Sequence, residues 1–286
     1  MKFITRTLAS TITKAAKTFP AIVLTGPRQS GKSTLLQKLF GRTHRFINLE
    51  NPDVRLRAKE DPNAFLDQYS PPLIIDEIQY VPELLSFIKT KIDGQRKPGQ
   101  WILTGSQNFA LMHNVSQSLA GRAAVLSLLP FSLTERTGRA SNMLDTTKLL
   151  KQSLRYQRPL KLKTPLPEIL LRGFYPEIAV NKNVDRQLWC GSYITTYLER
   201  DIRSLTNIGD LNQFERFLKL CATRTGQILN LSEMARDIGI SVPTAKRWIS
   251  LLETGYQIYL LYPFYKNIGK RLIKSPKLYL VLSYLS

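Results

Sequence analysis

The chain has 286 residues, of which 43% are hydrophobic, so it is long enough to form two domains with separate cores. Its formal charge of +20, from 41 Lys and Arg against 21 Asp and Glu, predicts a polyanionic partner: nucleic acid first, an anionic membrane surface second. A merely cationic, soluble surface is the alternative. The two cysteines exclude a disulfide framework and no apolar run reaches transmembrane length, so we expect a cytoplasmic protein outside the membrane.

The N-terminal stretch from Lys2 to Lys17 is amphipathic and basic. Ile4, Leu8, Ile12 and Ala15 recur at helical spacing with basic residues between them. The pattern predicts a helix that packs beside the first strand, although a transit peptide has a similar appearance.

The most informative stretch begins at Gly26. It matches the phosphate-loop pattern G-x-x-x-x-G-K-[ST] at every fixed position, after an apolar run typical of a buried parallel strand and before a helical pattern. The residues predicted to bind a nucleotide are Gly26, Pro27, Arg28, Gln29, Ser30, Gly31, Lys32, Ser33 and Thr34.

This spacing suits a strand that ends abruptly, turns around a phosphate and opens into a helix. The two glycines permit the turn, and backbone N–H groups and the helix N-terminus then face the anion. Lys32 is expected to reach the β- and γ-phosphates, and Ser33 to place its hydroxyl on Mg²⁺. The loop therefore predicts ATP and Mg²⁺ as ligands.

A second apolar run, Leu73–Glu77, ends in two acids. Asp76, at the end of this predicted strand, is expected to hold Mg²⁺ through Ser33 and water. Glu77, the next residue, is placed to orient and deprotonate an attacking water. These two acids and an extra strand between the two motifs favour ATP hydrolysis over the phosphorylation of small molecules.

Two further candidates follow the next strands. The strand from Trp101 is expected to end between the loop and Asp76, so that Ser106, chosen over Thr104, would sense the γ-phosphate. Arg122, before the apolar run 123–129, could stabilise charge on the nucleotide of a neighbouring subunit, which would require a homo-oligomer. The alternative for Ser106 is an ordinary polar residue in the turn after a strand, and the alternative for Arg122 is a surface arginine.

Strands that alternate with helices predict an α/β P-loop NTPase domain, a parallel sheet flanked by helices, over 1–135. A basic linker is expected over 136–165, and a mostly helical region over 166–286. In that region the apolar stripe of Val184, Leu188, Trp189, Tyr193 and Tyr197 predicts a buried helix face.

The segment 227–282 has the pattern of a winged helix-turn-helix. Ser232 is expected to cap a helix that ends at Gly239, and a second helix begins near Pro243 with Trp248 on its buried face. Two strands around a basic tip follow. The residues predicted to contact DNA are Thr244, Lys246, Arg247, Ser250, Lys270, Arg271 and Lys274. A winged helix used for packing or protein contacts is the alternative.

Taken together, these motifs resemble a group of uncharacterised prokaryotic ATP-binding proteins, in which an AAA-type ATPase domain is fused to a domain of unknown function. The resemblance rests on 26–33, 73–79, 103–107, 120–122 and 128–131 in the first half, and on 173–177, 197–202, 224–227 and 270–279 in the second. It implies the same nucleotide roles and makes Arg28 a usual companion in the loop. Members of the group continue into a region resembling a restriction-type nuclease core, which has no counterpart in this sequence.

The sequence therefore predicts a Mg²⁺-dependent ATPase whose nucleotide state is coupled to DNA binding. One alternative is a nucleotide-gated DNA-binding regulator with negligible hydrolysis. Another is a truncated, non-functional copy that lacks its output domain.

Overall fold

A computed structural model describes residues 3–106, 115, 118–138, 162, 164–197, 211–264 and 274–281. The chain divides into two compact units, Met1–Pro165 and Leu166–Ser286. Within the described residues, no helix is both long and apolar enough to cross a membrane.

The first unit is built on a five-stranded sheet in which every pair of neighbouring strands is parallel. Its strands are β1 Ala21–Thr25, β2 Arg45–Asn48, β3 Leu73–Asp76, β4 Trp101–Thr104 and β5 Ala123–Ser127. Their order across the sheet is β2-β3-β4-β1-β5. Strands β1, β3 and β4 are buried at every position, as expected of apolar strands covered on both faces.

Helices cover both faces of this sheet. They are α1 Ala9–Ala16, α2 Lys32–Phe40, α3 Pro52–Glu60, α4 Pro62–Gln68, α5 Leu84–Gly94 and the short α6 Leu133–Arg136. Ile22 and Ile74 pack in one core with α1 and α2, whereas Val23 and Ile75 pack in the other with α4 and α5. Alternate strand residues thus point to opposite layers, which confirms the α/β class and the N-terminal helix beside β1.

The charged stretch 51–67, for which no helices were predicted, folds as α3 and α4. Asn51 caps α3 through its side chain and Asp61 caps α4, and each cap is followed directly by a proline. Proline is favoured at the first helical position, where its missing N–H group costs nothing. The pairs Asn51-Pro52 and Asp61-Pro62 are therefore sequence signals for the start of a helix, although the charged composition of the stretch favours a loop.

The second unit is mostly helical around one core of its own. Its described elements are α7 Leu166–Arg172, α8 Pro176–Val180, α9 Arg186–Tyr197, α10 Leu211–Thr223, α11 Leu231–Ile238, α12 Val242–Thr254, β6 Ile258–Leu261 and β7 Lys277–Leu280. The stripe predicted for α9 is only partly correct. Tyr193 is buried, but Leu188 is 73% exposed because it lies on the outer side of the helix.

Helices α11 and α12 lie close to their predicted positions. The cap of α11 is Asn230 rather than Ser232, because the Asn230 side chain accepts from the backbone N–H of Glu233. Gly239 ends α11 in the left-handed conformation, and Ser241 caps α12. On α12, Trp248 is buried as predicted.

Ile88→Ala tests the core between the sheet and α5. The Ile88 side chain is fully buried, so we expect a loss of about 2–5 kcal/mol in the free energy of unfolding, measured by urea denaturation. Leu56, on α3, is 56% exposed, and Leu56→Ala should change that free energy by about 0.5 kcal/mol or less. Equal losses in the two variants would contradict the packing described.

Candidate functional site

The loop 26–31 leaves the end of β1 and enters α2, at the edge where the parallel strands end. Gly26 has φ of 141° and Gly31 has φ of 89°, both in the region that favours glycine. A Cβ on Gly26 would lie 2.2 Å from the carbonyl oxygen of Leu128, just after β5. The first glycine is therefore required by close packing of the loop against the segment that follows β5.

Lys32, the first residue of α2, is folded over the loop. Its Nζ donates to the carbonyl oxygens of Gly26 and Pro27, at 3.0 Å each, and the residue is only 5% exposed. The ammonium group is thus held at the start of the loop, where a phosphate enclosed by the loop would meet it.

Ser33 and Asp76 meet beside the loop. The Ser33 hydroxyl donates to Asp76 Oδ2 at 2.8 Å, and the Thr104 hydroxyl donates to Asp76 Oδ1. Strand β4 lies between β1 and β3, which brings Thr104 next to Asp76 as the predicted strand position requires. Thr104, passed over in favour of Ser106, is therefore the residue that holds Asp76.

This pair of oxygens fits a magnesium ion. Octahedral Mg²⁺ with ligands at about 2.0–2.1 Å separates adjacent ligands by roughly 2.9 Å, and the Ser33 and Asp76 oxygens are 2.8 Å apart. Within the described residues, no group of three or more His, Cys, Asp or Glu side chains could hold a metal ion. An ion here would take its remaining ligands from phosphate oxygens and water, as Mg²⁺ commonly does.

The Asp76 carboxylate carries an electrostatic cost. Burial raises its pKa above the ordinary value, and hydrogen bonds from Thr104 and Ser33 oppose the shift. The nearby Glu77 charge raises the pKa further and Lys32 lowers it. The site thus keeps a buried acid where a cation would relieve its desolvation.

Glu77 and Ser106 are also brought together. The Ser106 hydroxyl donates to Glu77 Oε2 at 3.1 Å, and the side-chain amide of Gln79 donates both to that oxygen and, at 3.2 Å, to Ser106 Oγ. Glu77 itself adopts φ 58° and ψ 49°, a strained conformation for a residue with a Cβ. Its backbone N–H donates to the Thr104 hydroxyl at 3.1 Å, which supports that conformation.

The other loop residues differ in exposure. Pro27 and Ser30 are buried, Gln29 and Thr34 are exposed, and Arg28 lies with its Nη1 4.0 Å from Glu50 Oε1. Gln29 has φ of 58°, so the loop contains one strained residue besides its glycines.

Arg122 lies at the opposite edge of the sheet from the loop. It precedes β5, and its carbonyl accepts from the N–H of Ala21 at the start of β1. Five strand residues at about 3.3 Å each put roughly 16 Å between it and the loop edge. Its guanidinium pairs with Asp93, Nε to Oδ1 at 2.6 Å and Nη2 to Oδ2 at 2.9 Å. The structure does not bring Arg122 to the loop of its own chain.

Arg6 contacts the loop and Glu135 contacts Arg6, and sequence reasoning missed both. Arg6 is 5% exposed and donates to the carbonyl oxygen of Ser30 at 2.8 Å. Burial lowers the pKa of Arg6, and the neighbouring Glu135 opposes that shift. The spacing Ser132-x-x-Glu135 signals the capping box that the structure forms, whereas nothing in the sequence marks Arg6.

In the second unit, three of the predicted DNA contacts lie on the outer face of α12. Lys246, Arg247 and Ser250 are exposed, whereas Thr244 is half-buried and hydrogen-bonded to the capping Ser241. Lys274 is exposed before β7. Lys270 and Arg271 lie outside the described residues.

Comparison with known proteins agrees with this geometry. Residues 18–137 match the model of an AAA domain, and residues 163–281 match a domain of unknown function (DUF8612). The two matches confirm the resemblance drawn from the motifs.

Uncharacterised proteins of Mycobacterium bovis and Mycobacterium tuberculosis are each 29% identical over 277 residues, which is 96% of this chain. The chain spans 57% of the length of each. A solved Walker-type ATPase of Pyrococcus abyssi is 15% identical and matches with a TM-score of 0.55, over 97% of this chain and 93% of its own. That likeness shows a P-loop ATPase fold.

Asp76→Asn tests the cost of the buried acid. A raised carboxyl pKa means that the folded chain holds the proton more tightly than the unfolded chain does. The free energy of unfolding therefore falls as the pH rises from the ordinary pKa of the carboxyl group through its raised pKa. We expect Asp76→Asn, without metal, to match or exceed the parent in free energy of unfolding at neutral pH. Glu60→Gln, at an exposed acid of α3, is the control and should change little. A free energy of unfolding for Asp76→Asn clearly below those of the parent and the control would contradict the account.

Proposed function

We propose that this chain, which joins an AAA domain to a domain of unknown function, is a cytoplasmic Mg²⁺-dependent ATPase whose nucleotide state is coupled to DNA binding. The observation that carries the nucleotide part is the contact between Ser33 and Asp76 beside the phosphate loop, at 2.8 Å. It joins the two motifs, 43 residues apart in sequence, at one point.

Each residue of the site has a distinct task. Lys32 and the backbone N–H groups of the loop would neutralise the phosphates, and Ser33 and Asp76 would hold Mg²⁺. The bound ion would add positive charge where negative charge develops on the phosphates. Glu77 would orient and deprotonate the attacking water, and Ser106, in contact with Glu77, would report the presence of the γ-phosphate.

The order of elements in the second unit supports a winged helix-turn-helix. Helix α10 is followed by 226–229, which pairs with β7, then by α11, α12, β6 and β7. Strand β7 is thus hydrogen-bonded on one side to β6 and on the other to 226–229. In this topology α12 is the helix offered to a major groove.

The net charge of the whole chain is not evidence for DNA binding by the second unit, because the charge is unevenly distributed. The sequence before Leu166 contains 25 Lys and Arg against 11 Asp and Glu, and the rest contains 16 against 10. Most of the excess therefore lies outside the second unit. The DNA proposal depends on Lys246, Arg247 and Ser250 on the exposed face of α12, rather than on the net charge.

Arg122 would act only on another copy of the chain. Its place at the far edge of the sheet excludes its own loop, so a role as a charge stabiliser goes with a homo-oligomer.

A nucleotide-gated DNA-binding regulator with negligible hydrolysis is the second candidate. It is favoured by the hydrogen bonds that Ser106 and Gln79 both donate to Glu77 Oε2. Both donors occupy Oε2, which leaves this oxygen less accessible to an attacking water.

Lys32→Ala and Glu77→Gln separate binding from hydrolysis. We expect Lys32→Ala to abolish tight ATP binding, because the phosphates lose their buried cation. Glu77→Gln should keep ATP binding and lose turnover by about 10²–10⁴-fold, the usual contribution of a general base. Nucleotide titration and phosphate release measure the two effects. Turnover by Glu77→Gln equal to that of the parent would exclude Glu77 as the base, and no turnover by the parent would favour the regulator.

DNA binding is tested by its salt dependence. Six to ten phosphate contacts should cost roughly three to five decades of affinity for duplex DNA between about 50 and 200 mM salt. Arg247→Ala should weaken binding, and Arg216→Ala, at an exposed arginine on α10, should not. Affinity that does not change with salt, or equal losses in the two variants, would remove DNA from the proposal.

A further inference from the structure

We propose that Arg6 is a positioning residue of the phosphate loop, which fixes the Ser30–Gly31 peptide so that the Gly31 N–H group faces the bound phosphate. This inference rests on nucleotide binding at the loop, as proposed above, and needs no hydrolysis. It adds a residue outside the loop, 24 positions from Ser30, to the nucleotide site.

The contacts of Arg6 converge on backbone carbonyl groups. Nη1 donates to Ser30 O at 2.8 Å, and Nη2 donates to Leu129 O and, at 3.3 Å, to Pro130 O. The guanidinium also lies over the ring of Phe131, 4.8 Å from its centre. One buried side chain thus ties the loop to the segment that follows β5.

Glu135 supplies the opposite charge. Its Oε1 lies 3.3 Å from Arg6 Nε, as an ion pair rather than an aligned hydrogen bond. The same carboxylate accepts from the backbone N–H groups of Thr7, at 2.7 Å, and Ser132, at 2.9 Å. Both oxygens of Glu135 are thereby fixed by backbone donors, and Oε1 lies beside the guanidinium that contacts the loop.

Because the peptide bond is planar, the contact of Arg6 with the Ser30 carbonyl also sets the direction of the Gly31 N–H group. In a planar trans peptide, the carbonyl group of one residue and the N–H group of the next point in opposite directions. With the Ser30 carbonyl turned to Arg6, the Gly31 N–H group points to the other side of the loop strand. A bound phosphate would accept hydrogen bonds from the backbone N–H groups at this turn, just before the first residue of α2.

Nothing in the Ser30 side chain can replace the anchor. Ser30 is fully buried, and within the described residues its hydroxyl has no hydrogen-bond partner. The Ser30 N–H donates to Pro27 O at 3.3 Å, which leaves the carbonyl as the group that Arg6 holds. Lysine cannot reproduce the contact, because its single ammonium group lacks the planar fork that reaches three carbonyl groups.

The test is the affinity of the full chain for a fluorescent ATP analogue with Mg²⁺, in the parent, Arg6→Lys and Ile88→Val. Ile88 packs against the face of the sheet opposite α2, so Ile88→Val is a mildly destabilised control with an unaltered loop. If Arg6→Lys and Ile88→Val have similar free energies of unfolding, we expect Arg6→Lys to bind the analogue about tenfold more weakly than the parent does. A tenfold change in affinity corresponds to about 1.4 kcal/mol. The control should bind within about twofold of the parent.

Arg6→Lys binding within about twofold of the parent would overturn the proposal. If Arg6→Lys does not fold, Glu135→Gln takes its place: it removes the charge that holds Arg6 and keeps one acceptor oxygen in place of the two that bond Thr7 and Ser132. It should bind the analogue more weakly than Ile88→Val, and equal affinities would overturn the proposal. Lys32→Ala is measured in parallel. If it binds like the parent, the nucleotide site itself fails, which is distinct from a failure at Arg6 alone.

Discussion

Strand β1 pairs in parallel with β4 on one side and with β5 on the other, and the functional geometry of the first unit depends on this pairing. It places the end of β1 between the ends of its neighbours. On the β5 side, the Leu128 carbonyl approaches Gly26 so closely that no side chain fits. On the β4 side, Thr104 reaches Asp76 and fixes it next to Ser33.

The same edge of the sheet concentrates buried charge. Lys32, Asp76, Arg6 and Glu135 are each about 5% exposed or less. Burying a charge is costly unless it is paired or hydrogen-bonded. Arg6 and Lys32 donate to backbone carbonyl groups, and Asp76 accepts from the hydroxyls of Ser33 and Thr104. Arg6 and Glu135 neutralise each other, whereas Asp76 keeps a raised pKa. The first pair therefore supports the loop, and Asp76 remains available to a cation at some cost in stability.

Local sequence patterns predicted the parts of the site that depend on local geometry. The loop is readable because its glycines and Lys32 have fixed spacing, and Asp76 because it ends a wholly apolar strand. The contact of Arg6 with Ser30 and that of Thr104 with Asp76 join residues 24 and 28 positions apart, and no spacing rule marks them. Arg122 shows the converse: it directly precedes a strand of a parallel sheet, so its position already indicated the edge opposite the loop. The helices over 52–68 were missed because composition was given more weight than their Asn-Pro and Asp-Pro caps.

The central claim is that the loop, with Ser33 and Asp76, binds a nucleotide together with Mg²⁺. The most direct measurement is equilibrium titration of the purified chain with ATP, in Mg²⁺ and in excess EDTA. The account predicts saturable binding of one ATP per chain that weakens by about tenfold or more when the metal is removed. No binding, or the same affinity with and without Mg²⁺, would contradict it.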